Sequence, residues 1–212
     1  LFILFILNSC FFSESIPTME DLENTKNEIE VSFDDISEIS EEVPEELREG
    51  HKELKDLINE GFGWFSSNNK KNEKIKTVQN MESNLENCKN SCQELNEELN
   101  NLDNLTEIYF EMLEKNLELQ PNNLKIMQQS KIKRVKSEYD KIYSITKFKV
   151  EDLNKKVREF EGIVAYIRGD VALDLIEAKV FKELKKISAH SDNLVLEINE
   201  NIIKGKKLIS DL

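Results

Sequence analysis

Val78-Gln79-Asn80-Met81-Glu82-Ser83-Asn84-Leu85-Glu86-Asn87-Cys88-Lys89-Asn90-Ser91-Cys92-Gln93-Glu94-Leu95-Asn96-Glu97-Glu98-Leu99-Asn100-Asn101-Leu102 is the stretch that decides the fold. Val78, Met81, Leu85, Cys88, Cys92, Leu95, Leu99 and Leu102 recur in alternating steps of three and four. That spacing lines one side of a helix with apolar groups and calls for a partner helix along the same seam. Leu105, Tyr109 and Met112 resume the pattern after a one-step slip in phase. No Gly or Pro falls between residues 70 and 120, so the spacing predicts one helix of about 50 residues, roughly 75 Å long at 1.5 Å per residue. Pro121-Asn122-Asn123 ends it.

Working outward, a second run places Leu124, Met127, Ile132, Val135, Tyr139, Ile142, Val150, Leu153, Val157 and Phe160 at helical spacing, extending through Val164 and Ile167. Gly169-Asp170 supplies the next break, Gly suiting a helix end and Asp a helix start. A third run spans Val171 to the C-terminus on Leu173, Ile176, Val180, Leu184, Ile187, Leu194, Ile198 and Ile202, with a kink or a split expected over Ser188–Asn193. Residues 81–120 carry 10 acidic and 2 basic side chains, and residues 124–158 carry 4 acidic and 11 basic. Two helices of opposite charge joined by a short turn are expected to pair antiparallel, the apolar seam holding them and charge selecting register.

Upstream of this region the composition changes. The chain's net charge is −13, and Glu14–Glu60 alone holds 17 acidic and 4 basic residues. Residues 10–43 are therefore expected to be a disordered acidic tether. Pro44 would open a short helix over about 45–60, closed at Gly61, and residues 44–212 would contain the complete core. Gly61-Phe62-Gly63-Trp64-Phe65 reads either as an apolar plug on one end of that core or as an exposed aromatic anchor for a partner. The expected fold is all-α: an elongated antiparallel bundle of three long helices with a short helix before them.

The chemistry-bearing residues are sparse. Six Gly and two His in 212 residues supply little for a loop-built active site, and no nucleophile–base pair, phosphate loop or metal-ligand spacing is present in the sequence. Neither an enzyme nor a cofactor is expected. The acidic balance argues against nucleic acid, whose phosphates need clustered Lys and Arg. Cys88 and Cys92, one helical turn apart, read as reduced, seam-facing thiols or as forming a strained local or an intermolecular disulfide. Two surface elements are candidates for binding. Lys131, Lys133, Arg134 and Lys136 form the densest basic cluster, suited either to an acidic partner or to pairing with the acidic helix before it. Arg168-Gly169-Asp170 matches the tripeptide that integrins read in extracellular ligands, and it also has a structural role at the helix break.

The N-terminus carries the remaining signal. Leu1-Phe2-Ile3-Leu4-Phe5-Ile6-Leu7 is an unbroken apolar run, too short for the roughly 20 residues of a membrane span and matching the core of a secretory signal. Leu7-Asn8-Ser9-Cys10 then resembles the lipobox of bacterial lipoproteins. That resemblance implies cleavage after Ser9, acylation of Cys10, and a signal peptide covering residues 1–9 whose beginning lies upstream of this chain. Lys outnumbers Arg 25 to 4, Asn is abundant and Ala occurs four times. With the lipobox and the helical content, this composition is similar to the plasmid-encoded helical surface lipoproteins of Borrelia-type spirochaetes. The resemblance rests on that one motif and on composition over the rest of the chain. It implies an outer-membrane, surface-displayed protein that binds host complement or extracellular-matrix proteins. The alternative is a periplasm-facing assembly lipoprotein whose long helices pair with copies of itself.

Overall fold

The computed structural model describes the backbone of residues 16–61, 68–170 and 178–212, and the side chains of 16–56, 75–169 and 179–212. Four helices follow in order: α1 (Met19–Gly61), α2 (Asn68–Leu117), α3 (Asn122–Asp170) and α4 (Ala178–Ser210). Each packs on its two neighbours around the ring α1-α2-α3-α4. Contacts between side chains set the directions. Asn80 meets Glu53 and Ser91 meets Glu42 across α1 and α2, while Lys89 meets Glu161 and Thr106 meets Tyr139 across α2 and α3. Lys149 pairs with Glu197 between α3 and α4, and Arg48 with Asp192 between α1 and α4. Every neighbouring pair is antiparallel, so this is an up-down-up-down four-helix bundle. The all-α antiparallel architecture read from the sequence is observed.

The seam that opened the sequence reading is the core of α2: Val78, Met81, Leu85, Cys88, Cys92, Leu95, Leu99 and Leu102 are all buried. The phase slip after Leu102 is absorbed by Thr106, Tyr109 and Phe110, which are buried, while Leu105 and Met112 are only partly so. Thr106 donates its hydroxyl to the Leu102 carbonyl at 2.7 Å and lies 3.0 Å from the Tyr139 hydroxyl on α3. A polar residue thereby sits at the slip with its hydrogen bonding met, as burial requires.

Three expectations are corrected. The first concerns residues 10–43: from Met19 onward they are not a tether but the first half of α1, and the predicted boundary at 43/44 is absent. Ile29, Phe33, Ile36 and Val43 are at most 2% exposed, and Leu22 is 8% exposed. Thr25, Ser32 and Ser40 fill the seam positions between them, and these small polar residues obscured the period. A capping box starts the helix, with the Asp21 N–H donating to Thr18 Oγ1 at 3.1 Å and the Thr18 N–H donating to Asp21 Oδ2 at 2.7 Å. Donation from the Thr18 N–H and hydroxyl holds the Asp21 carboxyl below its ordinary range.

The second correction is Pro44, which lies inside α1 and is buried, not at a helix start. The seam residues buried beside it, Val43 and Leu47, keep the helix continuous through the missing backbone hydrogen bond. The third is the kink expected at Ser188–Asn193, where α4 runs through without interruption. Ser191, fully buried, donates to the Ile187 carbonyl at 3.0 Å, so its hydroxyl is satisfied within the helix. Phe62–Phe65, Leu173 and Ile176 lie outside the described residues.

Two glycines set how closely the helices approach. A Cβ on Gly205 would lie 2.7 Å from the Phe33 ring, and one on Gly50 would lie 2.7 Å from the Phe160 ring. Each aromatic ring occupies the space a larger residue would need.

Candidate functional site

Among the described residues the bundle interior is lined by its own packed side chains. The void between Phe33, Tyr139, Tyr143 and Ile202 is about 10 Å³, at the lower limit for a single water. Cys88 and Cys92 are buried and unpaired with each other. Burial pushes both thiols up, Cys92 to about 12, which keeps them protonated and poorly nucleophilic. Among the described residues no three His, Cys, Asp or Glu side chains come together as a metal site. What the fold offers to a partner is therefore its outer surface.

That surface is divided by charge. α1 carries 16 acidic and 4 basic residues, and α2 carries 10 acidic and 6 basic. α3 carries 12 basic and 7 acidic, and α4 carries 7 basic and 4 acidic. Because α1 neighbours α2 and α3 neighbours α4, one wall of the bundle bears −16 and the opposite wall +8. The two acidic helices adhere through their apolar seam, and neutral donors meet their carboxylates. Asn80, Asn87 and Ser91 of α2 donate to Glu53, Glu46 and Glu42 of α1, and Ser32 of α1 donates to Glu98 of α2. Ion pairs link the walls at the other boundaries: Arg48–Asp192 and Lys206–Asp34 between α1 and α4, and Lys89–Glu161 and Arg168–Glu82 between α2 and α3.

The basic cluster of α3 is split by this arrangement. Lys136 lies over the Phe110 ring of α2, 5.6 Å from its centre, and Lys131 donates to the Asp211 carbonyl at the end of α4. Lys133 and Arg134 are exposed and have no ion pair among the described residues. Two of the four therefore serve packing, and two remain open to a partner. The cluster sits at the end of the bundle where α1 begins. Thr25 on α1 reaches Met112 on α2, and Lys26 donates to the Ser210 carbonyl on α4.

Arg168-Gly169-Asp170 is the last turn of α3, at the opposite end. A helical backbone turns successive side chains by about 100°, and Arg168 is bound to Glu82. The side chain of Asp170 lies outside the described residues. Cys10 lies outside the described residues.

One surface feature runs against the periodic reading. Leu124 and Met127, expected in the α3 seam, are 45% and 65% exposed, and Ile126 between them is 67% exposed. The buried seam of α3 begins at Ile132. α4 ends at Ser210, and Lys131 donates to the Asp211 carbonyl just beyond it, so no described residue of α4 lies beside the first turns of α3. Among the described residues no helix is long and apolar enough to cross a membrane. Comparison with protein-family models, curated proteins and solved structures gives no match to this chain.

Proposed function

We propose that this chain is a lipid-anchored protein of a bacterial outer membrane, displayed on the cell surface, that binds a host macromolecule through an outer face of its helical bundle. The observation that carries the reading is Leu7-Asn8-Ser9-Cys10 following an unbroken apolar run. The bundle supports it in a second way. With the centre occupied by its own seams, recognition falls to extended helix faces, a mode suited to macromolecular partners such as complement or matrix proteins rather than to small ligands. The end remote from the chain's entry is the natural partner-facing surface, and there α4 opens with Lys179, Lys182, Lys185 and Lys186. Charged faces of this kind steer association, so binding should be fast at low salt and weaken as salt rises.

Protease treatment of intact cells tests the display. Digestion of the bundle supports it, and protection that disappears only on lysis overturns it. Pull-down from host serum with the wild type and with a Lys182→Glu, Lys185→Glu, Lys186→Glu variant then tests the face.

A second reading, self-association within the envelope, is favoured by the oppositely charged walls, which are complementary between copies. An association that dissolves with rising salt in sedimentation experiments, together with protection of the chain in intact cells, would select it.

A further inference from the structure

The α2–α3 hairpin, with the start of α1 beside it, extends past the end of α4. Lys131 reaches the carbonyl of Asp211, so residues 122–131 of α3 overhang the end of α4 by about 14 Å at 1.5 Å per residue. The turn itself is ordered by Gln120 N–H donating to the Leu117 carbonyl at 3.1 Å and Leu124 N–H donating to the Pro121 carbonyl at 3.0 Å. On this overhang Leu119, Leu124, Ile126 and Met127 are 45–67% exposed, and beside it at the start of α1 Ile16 and Met19 are 52% and 79% exposed. A tip this apolar has no partner within the chain's described residues. Lys133 and Arg134 are exposed just behind it, with Lys125 on the tip itself. Most carboxylates at this end (Glu20, Asp21, Glu23, Glu114 and Glu118) belong to the α1/α2 side and its turn, and Asp211 follows α4; Lys125, Lys131, Lys133 and Arg134 outnumber it, so the tip is basic toward α3.

The chain also enters here. Five residues lie between Cys10 and Ile16, six Cα–Cα steps and a reach of at most about 22 Å, whereas α3 alone is roughly 74 Å long. An acyl group on Cys10 would therefore hold this end, and not the side or the far end, against a bilayer.

We infer that the overhanging α2–α3 tip docks on an anionic lipid bilayer, with Leu124, Ile126 and Met127 entering the headgroup region and Lys125, Lys133 and Arg134 meeting lipid phosphates; this inference rests on the anchor reading at Cys10. Apolar side chains flanked by cations suit that interface, where each Lys or Arg near an anionic surface adds attraction and apolar area adds burial. The tip then acts as a second attachment point that stands the bundle upright on its hairpin.

The test uses the full chain, processed in a bacterial host and reconstituted with phosphatidylcholine vesicles, with and without phosphatidylglycerol. An environment-sensitive fluorophore is placed at Ile126→Cys or, as control, at Leu196→Cys, an exposed site near the Lys149–Glu197 pair and roughly 35 Å along α3 from the tip. The parent chain, labelled in parallel, is the blank. The fluorophore at 126 should shift to the blue and be quenched by doxyl-labelled lipid severalfold more than the one at 196. Quenching should be strongest with phosphatidylglycerol and be lost in a Lys133→Gln, Arg134→Gln variant. Chain that floats with the vesicles while both sites are quenched equally overturns the docking and leaves the anchor reading standing. Tip quenching without stable flotation supports the docking and sinks the anchor. Absence of both overturns both. A blue shift at 126 that needs no vesicles assigns the tip to the chain's own N-terminal residues or to a second copy, and overturns the docking.

Discussion

At the scale of single residues, glycine and histidine carry the sharpest consequences. Gly205→Ala would gain about 1 kcal/mol in helix propensity, yet the new methyl group would lie 2.7 Å from a Phe33 ring that is itself buried against Tyr139, with ring centres 6.5 Å apart. Overpacking of a buried ring costs about 1–3 kcal/mol, so the clash wins. The variant should melt at a lower temperature, and adding Phe33→Leu should recover part of the loss. Additive losses in the double variant would show that the two residues do not share this space.

His51 stacks on Phe181 with ring centres 4.5 Å apart, and its Nε2 is buried without a partner. Burial first, then Lys185 and Lys55, lower its pKa from 6.5. Below that value the unfolded chain takes up this proton more readily than the folded one, so the folded state loses stability as pH falls. His51→Phe should therefore raise the melting temperature more at pH 5 than at pH 8, by comparison with the wild type at each pH. An equal effect at both would sever the pH dependence from this residue.

At the scale of elements, α1 decides whether the bundle closes. Leu22, Ile29, Phe33 and Ile36 are buried between α2 and α4, and burying each contributes about 1.5–3 kcal/mol. Their sum approaches the 5–15 kcal/mol by which whole domains are stable. A chain beginning at residue 45 should thus lose its cooperative melt by circular dichroism, the reverse of what the acidic composition suggested. Within the same helix Pro44 forfeits one backbone hydrogen bond at a cost of about 3 kcal/mol. Its ring contributes roughly 1.6 kcal/mol through two buried methylenes. Pro44→Ala should accordingly stabilise the bundle by about 1 kcal/mol in urea unfolding, and a destabilised variant would mean that the ring's packing outweighs the hydrogen bond.

At the scale of the whole molecule, the ring order and the directions of the helices make a single prediction. Zero-length carbodiimide cross-linking should join Lys89 to Glu161, Lys149 to Glu197 and Lys206 to Asp34, the pairs that tie α2 to α3, α3 to α4 and α4 to α1. Peptides linking Lys89 to the first half of α3 would exclude this register. The division into a −16 wall and a +8 wall belongs to the same scale, since no helix has it alone. It arises because two acidic helices are adjacent in the ring.

The all-α class, the long α2 and α3 and their antiparallel turn were legible in the sequence because an unbroken three-and-four spacing admits one solution: a helix with a buried stripe. The apolar N-terminal run and Leu7-Asn8-Ser9-Cys10 are read as a linear motif, which needs no tertiary context, and the lipid anchor proposed from them rests on that motif. The place of α1, the continuity of α4 and the exposure of Leu124 and Met127 were decided only in the folded molecule. Ser and Thr at seam positions become core residues once a neighbouring helix covers them. The carboxylates of α1 are accommodated because α2 presents Asn and Ser donors to them and α4 presents Lys206. An apolar residue at the right spacing is buried only where another helix is long enough to reach it.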